Sequence, residues 1–445
     1  MDINQKNNNF IREIYSDGSH YEGQIKHGNR EGKGIYCYSD GSKYEGDFSN
    51  GIRHGRGIQI LSNGDRYDGE FKNGHQDGRG VFYYANGSKY DGEYKEGIRQ
   101  GRGIYTYAEG GRFDGEFKNG LPEGRGIFYY PDGSRYEGEC KDGKPHGRGI
   151  CYYSDNSKYD GEYIDGKQQG RGLFYYPDGR KYDGEYKDGK REGKGVYYYT
   201  DGSRFEGEFL SGDPSQKGVY YYSDGSKYDG EFKNGKSDGV GTLIHANGDK
   251  YEGEFKDGLP NGRGSEFFVD GSRYAGEYKN GKIGGRGIYY YVDGSKYEGE
   301  FLNGEQNGKG EYFYSDRTRY IGEVSAGRPS GRGVYYFANG SRYEGDVVDG
   351  KPHGRGAFYY VDGRRFEGNV KDGKPEGRGQ YYYADGNKYE GEFKDGHPSG
   401  QGVCYFISGN RYDGEFKNGQ PDGKGFYYYS DGRRYEGEFK DGRPI

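Results

Sequence analysis

One aromatic residue recurs every 23 residues along this chain, from Tyr21 to Tyr435, with no insertion or deletion between copies. We number each 23-residue repeat from this aromatic as position 1, so that Tyr182–Arg204 is one complete repeat. A fixed period of this length is the signature of a repeat architecture, in which each repeat is one small structural unit. The 445 residues therefore do not indicate several independent globular domains.

The repeat also predicts where the structured part of the chain begins and ends. Full repeats run from residue 21 to 434, and partial repeats occupy residues 14–20 and 435–445, so that we expect one continuous array over 14–445. Residues 1–13 are rich in Asn and match no position of the repeat. We expect them to form a flexible tail.

Composition shows what can form the core and which partners to expect. Only 29% of residues are apolar, yet 18% are aromatic, which argues against disorder and makes Tyr and Phe the main source of buried surface. The net charge of −6, without a basic stripe, excludes a nucleic-acid-binding protein. No segment resembles a signal peptide or a membrane span, so a cytoplasmic location is expected. The four cysteines lack metal or disulfide spacing, which favours reduced, buried thiols.

Alternation of side chains predicts two strands in each repeat. The first covers position 23 and positions 1–6, as in Arg204–Leu210, and the second covers positions 13–18, as in Lys194–Tyr199. Positions 1, 3, 5, 14, 16 and 18 then share a face of rings and glycines. Positions 2, 4, 6, 13, 15, 17 and 23 share a face of mostly charged residues. The pattern predicts an all-β fold.

Two links join the strands. Positions 19–21, mostly Ser-Asp-Gly, are typical of a three-residue hairpin loop that pairs position 16 with position 1 of the next repeat, and position 13 with position 4. Positions 7–12 are expected to form a six-residue loop, which pairs position 5 with 14 and position 3 with 16. Each ring then lies opposite a glycine. Ten of the twelve prolines fall at position 10, in this loop, and none is expected inside a strand.

The motif Y-E-G-E-F-x-x-G-x-x-x-G-x-G-x-Y-x-Y resembles the MORN repeat, and the resemblance covers residues 14–445. It implies an elongated, single-layer antiparallel meander of about 19 stacked hairpins, a twisted ribbon about 170 to 180 Å long. Members of this family are often scaffolds in cytoskeletal or axonemal structures, and binding of acidic phospholipids is often attributed to MORN repeats. Some relatives carry an enzyme domain, and no segment here is long enough for one.

Position 17 departs from the family pattern, in which a small residue such as Thr is common there. In this chain it is usually aromatic, on the charged face, which gives that face a ridge of rings. Either these rings pack on the Lys and Arg stems of position 23 across the turn, or they form a docking surface for a partner. The candidate docking residues are Tyr129, Tyr152, Tyr175, Tyr198, Tyr221, Tyr290, Tyr336, Tyr359 and Tyr382.

Irregular repeats are a second possible source of specific contacts. They include Asp213–Gln216, which lacks the glycine of position 12, the pair Ser265 and Glu266, and a region that contains Glu311 and Ile321. Drift without function is the competing interpretation of each.

The sequence predicts a protein without enzymatic activity, metal site or cofactor. The histidines lie one per repeat, mostly in loops, so no metal cluster is indicated. The recurrent G-R-G and G-K-G tripeptides lack the strand-to-helix transition of a phosphate-binding loop. We expect a scaffold that binds other proteins, and the alternative is a tether that binds acidic phospholipids. We also expect a homodimer or end-to-end assembly through an unpaired strand, Tyr435–Lys440, with Tyr435, Glu438 and Phe439 as candidate pairing residues.

Overall fold

A computed structural model describes residues 10–445, which contain 39 β-strands and no helix. The chain divides into two compact bodies, with the boundary between Ser223 and Asp224. In each body every strand pairs antiparallel with the strands that precede and follow it in the chain. Each body is therefore an open sheet in one layer, and the predicted all-β meander of stacked hairpins is confirmed.

The strands of the N-terminal body are β1 (Phe10–Ile14), β2 (His20–Lys26), β3 (Asn29–Cys37), β4 (Lys43–Ser49), β5 (Ile52–Ile60), β6 (Arg66–Lys72), β7 (His75–Tyr83), β8 (Lys89–Lys95), β9 (Ile98–Thr106), β10 (Arg112–Lys118), β11 (Leu121–Tyr129), β12 (Arg135–Lys141), β13 (Lys144–Tyr152), β14 (Lys158–Ile164), β15 (Lys167–Tyr175), β16 (Lys181–Lys187), β17 (Lys190–Tyr198), β18 (Arg204–Leu210) and β19 (Asp213–Tyr221).

The strands of the C-terminal body are β20 (Lys227–Lys233), β21 (Lys236–Ile244), β22 (Lys250–Lys256), β23 (Leu259–Phe267), β24 (Arg273–Lys279), β25 (Lys282–Tyr290), β26 (Lys296–Leu302), β27 (Glu305–Phe313), β28 (Arg319–Ser325), β29 (Arg328–Tyr336), β30 (Arg342–Val348), β31 (Lys351–Tyr359), β32 (Arg365–Lys371), β33 (Lys374–Tyr382), β34 (Lys388–Lys394), β35 (His397–Tyr405), β36 (Arg411–Lys417), β37 (Gln420–Tyr428), β38 (Arg434–Lys440) and β39 (Arg443–Pro444).

The array begins earlier than the sequence indicated. Residues 10–13, which we assigned to the tail, form β1 together with Ile14 and pair with β2 in the register of a repeat. The remainder of the predicted tail, residues 1–9, lies outside the described residues.

The predicted six-residue loop is wrong. The first strand of the repeat has its predicted bounds, but the second covers positions 9–17 instead of 13–18. Only two residues separate them, Asp188 and Gly189 in the representative repeat, with φ angles of 50° and 83°. Two consecutive residues with positive φ form a type I′ turn, which matches the twist of the flanking strands. The Asn-Gly or Asp-Gly pairs at positions 7 and 8 are the sequence signal for this turn.

The register across this hairpin also differs from the prediction. Position 1 lies opposite position 16, as Tyr182 does opposite Tyr197, and position 3 lies opposite position 14, as Gly184 does opposite Gly195. Position 5 lies opposite position 10, and a bulge between positions 3 and 5 absorbs the extra residues of the second strand. Position 10 therefore belongs to a strand, and the prediction that no proline lies inside a strand is wrong. Pro122, for example, lies opposite Phe117 in β11.

The other link agrees with the prediction. The amide of Tyr199 donates to the carbonyl of Ser203 at 2.9 Å, and Gly202 takes the left-handed conformation with φ 87°. This is the three-residue loop with a glycine bulge. It places Tyr197 opposite Phe205 and Lys194 opposite Glu208, the predicted pairings of positions 16 with 1 and 13 with 4.

The rings of positions 1 and 5 form the core. Tyr182 is fully buried, and its ring lies over Gly184 and Gly195, where a Cβ atom on either glycine would overlap it. Its hydroxyl donates to the carbonyl of Glu185 at 3.2 Å. Tyr186 packs edge-on against Tyr182 at 5.4 Å and against Tyr159 of the previous repeat at 4.9 Å. Rings thus connect this repeat to the one before it, and the cross-strand partner of Tyr182 is Tyr197, another ring, and not a glycine.

The four cysteines are free thiols. Cys140, Cys151 and Cys404 are buried in ring positions, and burial raises the pKa of the Cys140 thiol to about 12. Thiols held in the neutral form in this way are poor nucleophiles. They serve as small apolar residues of the core.

Candidate interaction surface

Three parallel rows of side chains cross the strands on the charged face. They follow from the alternation of side chains and the register between consecutive repeats. The base row consists of positions 13 and 4, as in the pair Lys194 and Glu208. The central row consists of positions 15 and 2, as in Val196 and Glu206. The aromatic row consists of positions 17 and 23, and Tyr198 lies there opposite Arg204.

Most rings of the aromatic row are covered by a cation. In nine repeats a Lys or Arg of position 23 lies 3.7–4.4 Å from the ring centre, and each of these rings is half-buried. The covering base comes from the strand that precedes the two-residue turn, as Arg204 does for Tyr221. We predicted that the base would come from the other side of the ring, across the three-residue loop. The cations on that side are farther from the ring centres, at 5.2–5.8 Å.

Acids of the central row hold these bases in place. The Nε of Arg204 donates to Glu206 at 2.7 Å, and Arg135 makes the same contact with Glu137 at 2.9 Å. The hydrogen bond that Glu206 accepts raises the pKa of Arg204 above its ordinary value, so the cation over Tyr221 stays charged. Exposed pairs of this kind contribute at most about 1 kcal/mol each. Their role is to position the base over the ring.

Five rings of the aromatic row are exposed, with 37–42% of their surface accessible. They are Tyr83, Tyr175, Phe267, Tyr336 and Tyr405. For four of them the nearest cation is 5.3–5.7 Å from the ring centre. Arg319 does not cover the Tyr336 ring because its guanidinium forms an ion pair with Glu311.

The structure therefore divides the predicted docking residues into two groups. Tyr175 and Tyr336 are exposed, and the other seven are half-buried: Tyr129, Tyr152, Tyr198, Tyr221, Tyr290, Tyr359 and Tyr382. Tyr83, Phe267 and Tyr405 are exposed rings that the prediction omitted. Both Lys and Arg cover rings elsewhere, so the residue type at position 23 does not distinguish the two groups.

In the base row, the cations of position 13 extend into solvent, whereas the carboxylates of position 4 accept hydrogen bonds from backbone amides. Glu300 accepts the amide of Lys309 at 3.0 Å, and Asp346 accepts the amide of Arg355 at 2.9 Å. The glycine of position 12 makes room for this carboxylate and takes a positive φ, which is 70° at Gly193. The bases of position 13 extend outward, and the side chain of Arg332 is 87% exposed.

The regular pattern of the central row is broken in one stretch. Position 2 is acidic in every repeat except at Ala275 and Ile321, and position 15 is acidic only at Glu311. All three exceptions line one open groove of about 1130 Å³ on the charged face of the C-terminal body. Its central row runs Ser265, Ala275, Ile288, Glu298, Glu311, Ile321.

The residues predicted for edge pairing already have partners within the chain. β39 pairs with β38, so that Phe439 lies opposite Pro444 and Lys440 opposite Arg443. The carbonyl of Glu438 accepts the amide of Ile445 at 2.9 Å, and Tyr435 donates to the carbonyl of Ile445 at 3.4 Å. The prediction that Tyr435–Lys440 is unpaired is therefore wrong for its last three residues.

Residues 10–445 contain no group of three or more His, Cys, Asp or Glu side chains placed to hold a metal ion. Over the same range, no helix is long and apolar enough to cross a membrane. The distinctive surface of each body is a face with rows of repeated side chains. Such a face defines the class of repeat proteins whose stacked units present an extended binding surface.

The chain belongs to the MORN-repeat family, a family of non-catalytic repeat scaffolds. The MORN repeat family model matches 19 consecutive segments of the chain. They are residues 21–43, 44–66, 67–89, 90–112, 113–135, 136–158, 159–179, 182–204, 205–227, 228–250, 251–273, 274–296, 297–319, 320–342, 343–364, 366–388, 389–411, 412–433 and 435–444. A search of curated proteins returned no significant match.

Solved structures with local similarity are distant. The TCP domain of Drosophila melanogaster SAS-4 (dCPAP), in complex with a proline-rich motif of Ana2 (dSTIL), is 12% identical over 40% of this chain and 85% of that chain, with a TM-score of 0.22. The TCP10 domain of Danio rerio CPAP is 13% identical over 49% and 93%, with a TM-score of 0.20. Virginiamycin B lyase from Staphylococcus aureus, with quinupristin, is 13% identical over 70% and 94%, with a TM-score of 0.12. These scores are too low to support an inference.

Proposed function

We propose that this protein is a non-enzymatic scaffold that binds other proteins through the aromatic row of its charged face, in a cytoskeletal or axonemal assembly of the cytoplasm. The observation that carries the proposal is the set of five exposed rings at position 17. The fold does not require a ring there, since Thr106 occupies the same position in β9. Exposed aromatic side chains are typical of protein-binding surfaces, because rings bury large areas with few rotatable bonds.

The assembly named in this proposal follows from the family and not from the geometry. Scaffolds of stacked repeats vary in length without a change of fold, which suits proteins that space or bridge partners in large assemblies. The expected partners are therefore proteins of the cytoskeleton or axoneme.

Capture of partners by two variants tests the proposal. The first replaces the five exposed rings, Tyr83, Tyr175, Phe267, Tyr336 and Tyr405, with Thr. The matched control replaces five exposed apolar residues outside the three rows, Ile52, Ile98, Leu121, Leu259 and Leu302, with Thr. Cross-linking mass spectrometry in native cells identifies the partners, and binding is then measured with the purified partners.

We expect the control to retain its partners and the ring variant to bind them about tenfold more weakly or worse, since aromatic hot spots dominate most interfaces. Equal binding by both variants would show that the aromatic row is not the docking surface.

Binding of acidic phospholipids is the second candidate function, and the exposed bases of the base row favour it. Lys33, Arg286 and Arg332 have side chains 69%, 81% and 87% exposed. Against it, the chain carries a net charge of −6, and attraction to an anionic surface needs a cluster of uncompensated bases. Co-sedimentation with phosphatidylserine vesicles at physiological salt decides between the two. We expect no binding, and binding by the full-length, monodisperse protein would favour the tether.

A further inference from the structure

The groove in the C-terminal body is the one place where the central row loses its regular charges. Ala275 and Ile321 remove the acids that other repeats carry at position 2, and Glu311 replaces the uncharged residue that every other full repeat carries at position 15. Ile321 is 36% exposed, and Ala275 and Ile288 are partly exposed. The result is an apolar patch on each side of a pair of carboxylates.

The two carboxylates face each other directly. Glu298 lies opposite Glu311 across the β26–β27 pair, and like charges in this arrangement destabilise a sheet. Lys296 contacts Glu298 at 3.3 Å and Arg319 contacts Glu311, each from the aromatic row. Each carboxylate can accept further hydrogen bonds, so a cation placed between the two would relieve the repulsion.

The spacing in the groove matches an extended strand laid across it. Ile288 and Ile321 are separated by three strand intervals, which is about 14 Å. In an extended segment, residues i, i+2 and i+4 point to one side and span about 13 Å. The groove therefore fits a segment with an apolar residue at i, a base at i+2 and an apolar residue at i+4.

β1 of this chain carries that pattern on its exposed face. Phe10, Arg12 and Ile14 are the alternate residues of the strand, and all three are exposed, with Phe10 at 62% and Ile14 at 73%. Arg12 contacts Glu22 at 3.0 Å, and its side chain is 64% exposed. Phe10 and Ile14 are among the most exposed large apolar residues of the chain.

We propose that β1 of one copy binds in the groove of a second copy. Phe10 and Ile14 lie against the two apolar patches around Ile288 and Ile321, and Arg12 lies between Glu298 and Glu311. The strands cross at nearly a right angle, one of the two preferred arrangements of packed sheets. Because the two surfaces differ, the contact is heterologous and adds one copy after another unless a ring closes. This self-association goes beyond the scaffold function and does not depend on it.

The test uses the full-length protein and measures its mass by light scattering and sedimentation up to about 100 µM, because an interface of one strand is small. We expect reversible association that weakens with salt. Arg12→Glu, and separately Ala275→Glu with Ile321→Glu, should weaken association about tenfold or more. The groove variant restores the acids usual at position 2, but the acid at residue 321 lies opposite Glu311, so circular dichroism and thermal unfolding must first show that the sheet is retained. Gln380→Glu, which adds an acid to the central row outside the groove, is the matched control and should associate normally.

A second measurement separates contact between copies from contact within one chain. Equal amounts of isotopically light and heavy protein are mixed and cross-linked, and links between the β1 region, at Lys26 or Lys33, and Lys296 or Lys309 are analysed. Mixed light–heavy pairs that disappear in Arg12→Glu support the proposal.

Three outcomes would overturn the proposal. They are a monomer at all concentrations, association that is unchanged in both variants, and links found only within one chain. A synthetic peptide of residues 8–16 gives an independent readout. We expect it to bind the wild type and Gln380→Glu, but not the groove variant. Binding of anionic vesicles, with no binding of the peptide, would also contradict the proposal, whereas the partner capture described above would remain unaffected.

Discussion

The guanidinium carbon of Arg204 lies 3.7 Å from the centre of the Tyr221 ring, while its Nε donates to Glu206 at 2.7 Å. One base thus joins the aromatic row to the central row. A base over a ring recurs in other repeats, and the rings without a close base are the exposed ones.

Chemical labelling should therefore distinguish the rings of the aromatic row. Under conditions that nitrate exposed tyrosines, we expect Tyr83, Tyr175, Tyr336 and Tyr405 to react several times faster than Tyr198 and Tyr221, which a cation covers. The buried Tyr182 should react only after unfolding. Peptide mapping by mass spectrometry measures all of these rates in one experiment. Equal rates at Tyr175 and Tyr221 would contradict the covering of rings by cations.

Arg204→Gln should uncover Tyr221 at little cost in stability. A cation over an exposed ring contributes about 0.5–1 kcal/mol, so we expect a loss in the free energy of unfolding of this size. Nitration of Tyr221 should rise to the rate of Tyr175. Arg286→Gln, which removes a base of the base row far from any ring of this type, serves as the control. An unchanged rate at Tyr221 would show that the backbone and not Arg204 protects the ring.

Gly195→Ala should strongly destabilise its hairpin. A Cβ atom there would overlap the ring of Tyr182, and the ring is fully buried and cannot move aside. We expect a loss of about 3 kcal/mol, measured as faster amide hydrogen exchange in β16 and β17.

The matched control for this variant is Gly202→Asn. Gly202 has a positive φ but open space around it, and Asn156 occupies the equivalent position of another repeat with φ 68°. Asparagine tolerates this conformation, so the loss should be at most about 1 kcal/mol. Equal losses at the two sites would contradict the close contact of ring and glycine.

The array should unfold in alkali as its core tyrosines ionise. Burial raises the pKa of Tyr182 from 10.0 to about 12, although Arg191 acts in the opposite direction, and burial also raises the pKa of Tyr274 and Tyr297 to about 12. Because the folded pKa exceeds the unfolded one, this stabilisation is complete below pH 10 and is lost as the pH rises through 12.

Phenolate absorbance and circular dichroism, followed from pH 9 to 12.5, should therefore change together. Replacing Tyr159 and Tyr182 with Phe, which occupies position 1 at Phe113, Phe205 and Phe366, should reduce the alkaline sensitivity of that region. Ionisation of all tyrosines near pH 10 in a folded protein would contradict the buried core.

Much of this fold can be predicted from local patterns. The period of 23 residues, the two faces, the first strand of each repeat and the three-residue loop follow from alternation and turn chemistry, which act over a few residues. Alternation could not reveal that the predicted six-residue loop at positions 7–12 was wrong. Pairing position 3 with 14, as Gly184 pairs with Gly195, and pairing it with 16 both keep every ring on the same face.

The sequence by itself determined the repeat, the assignment of faces and the family of this protein. The Asn-Gly and Asp-Gly pairs at positions 7 and 8 indicate a two-residue turn, but only the tertiary structure showed the bulge between positions 3 and 5, because the register beyond the turn depends on hydrogen bonds across the whole strand pair. The tertiary structure also decided which rings a cation covers, and it brought Ala275, Glu311 and Ile321 into one groove. The register, the cation–ring contacts and the groove each involve residues from different strands. The distances between these residues depend on how neighbouring strands align.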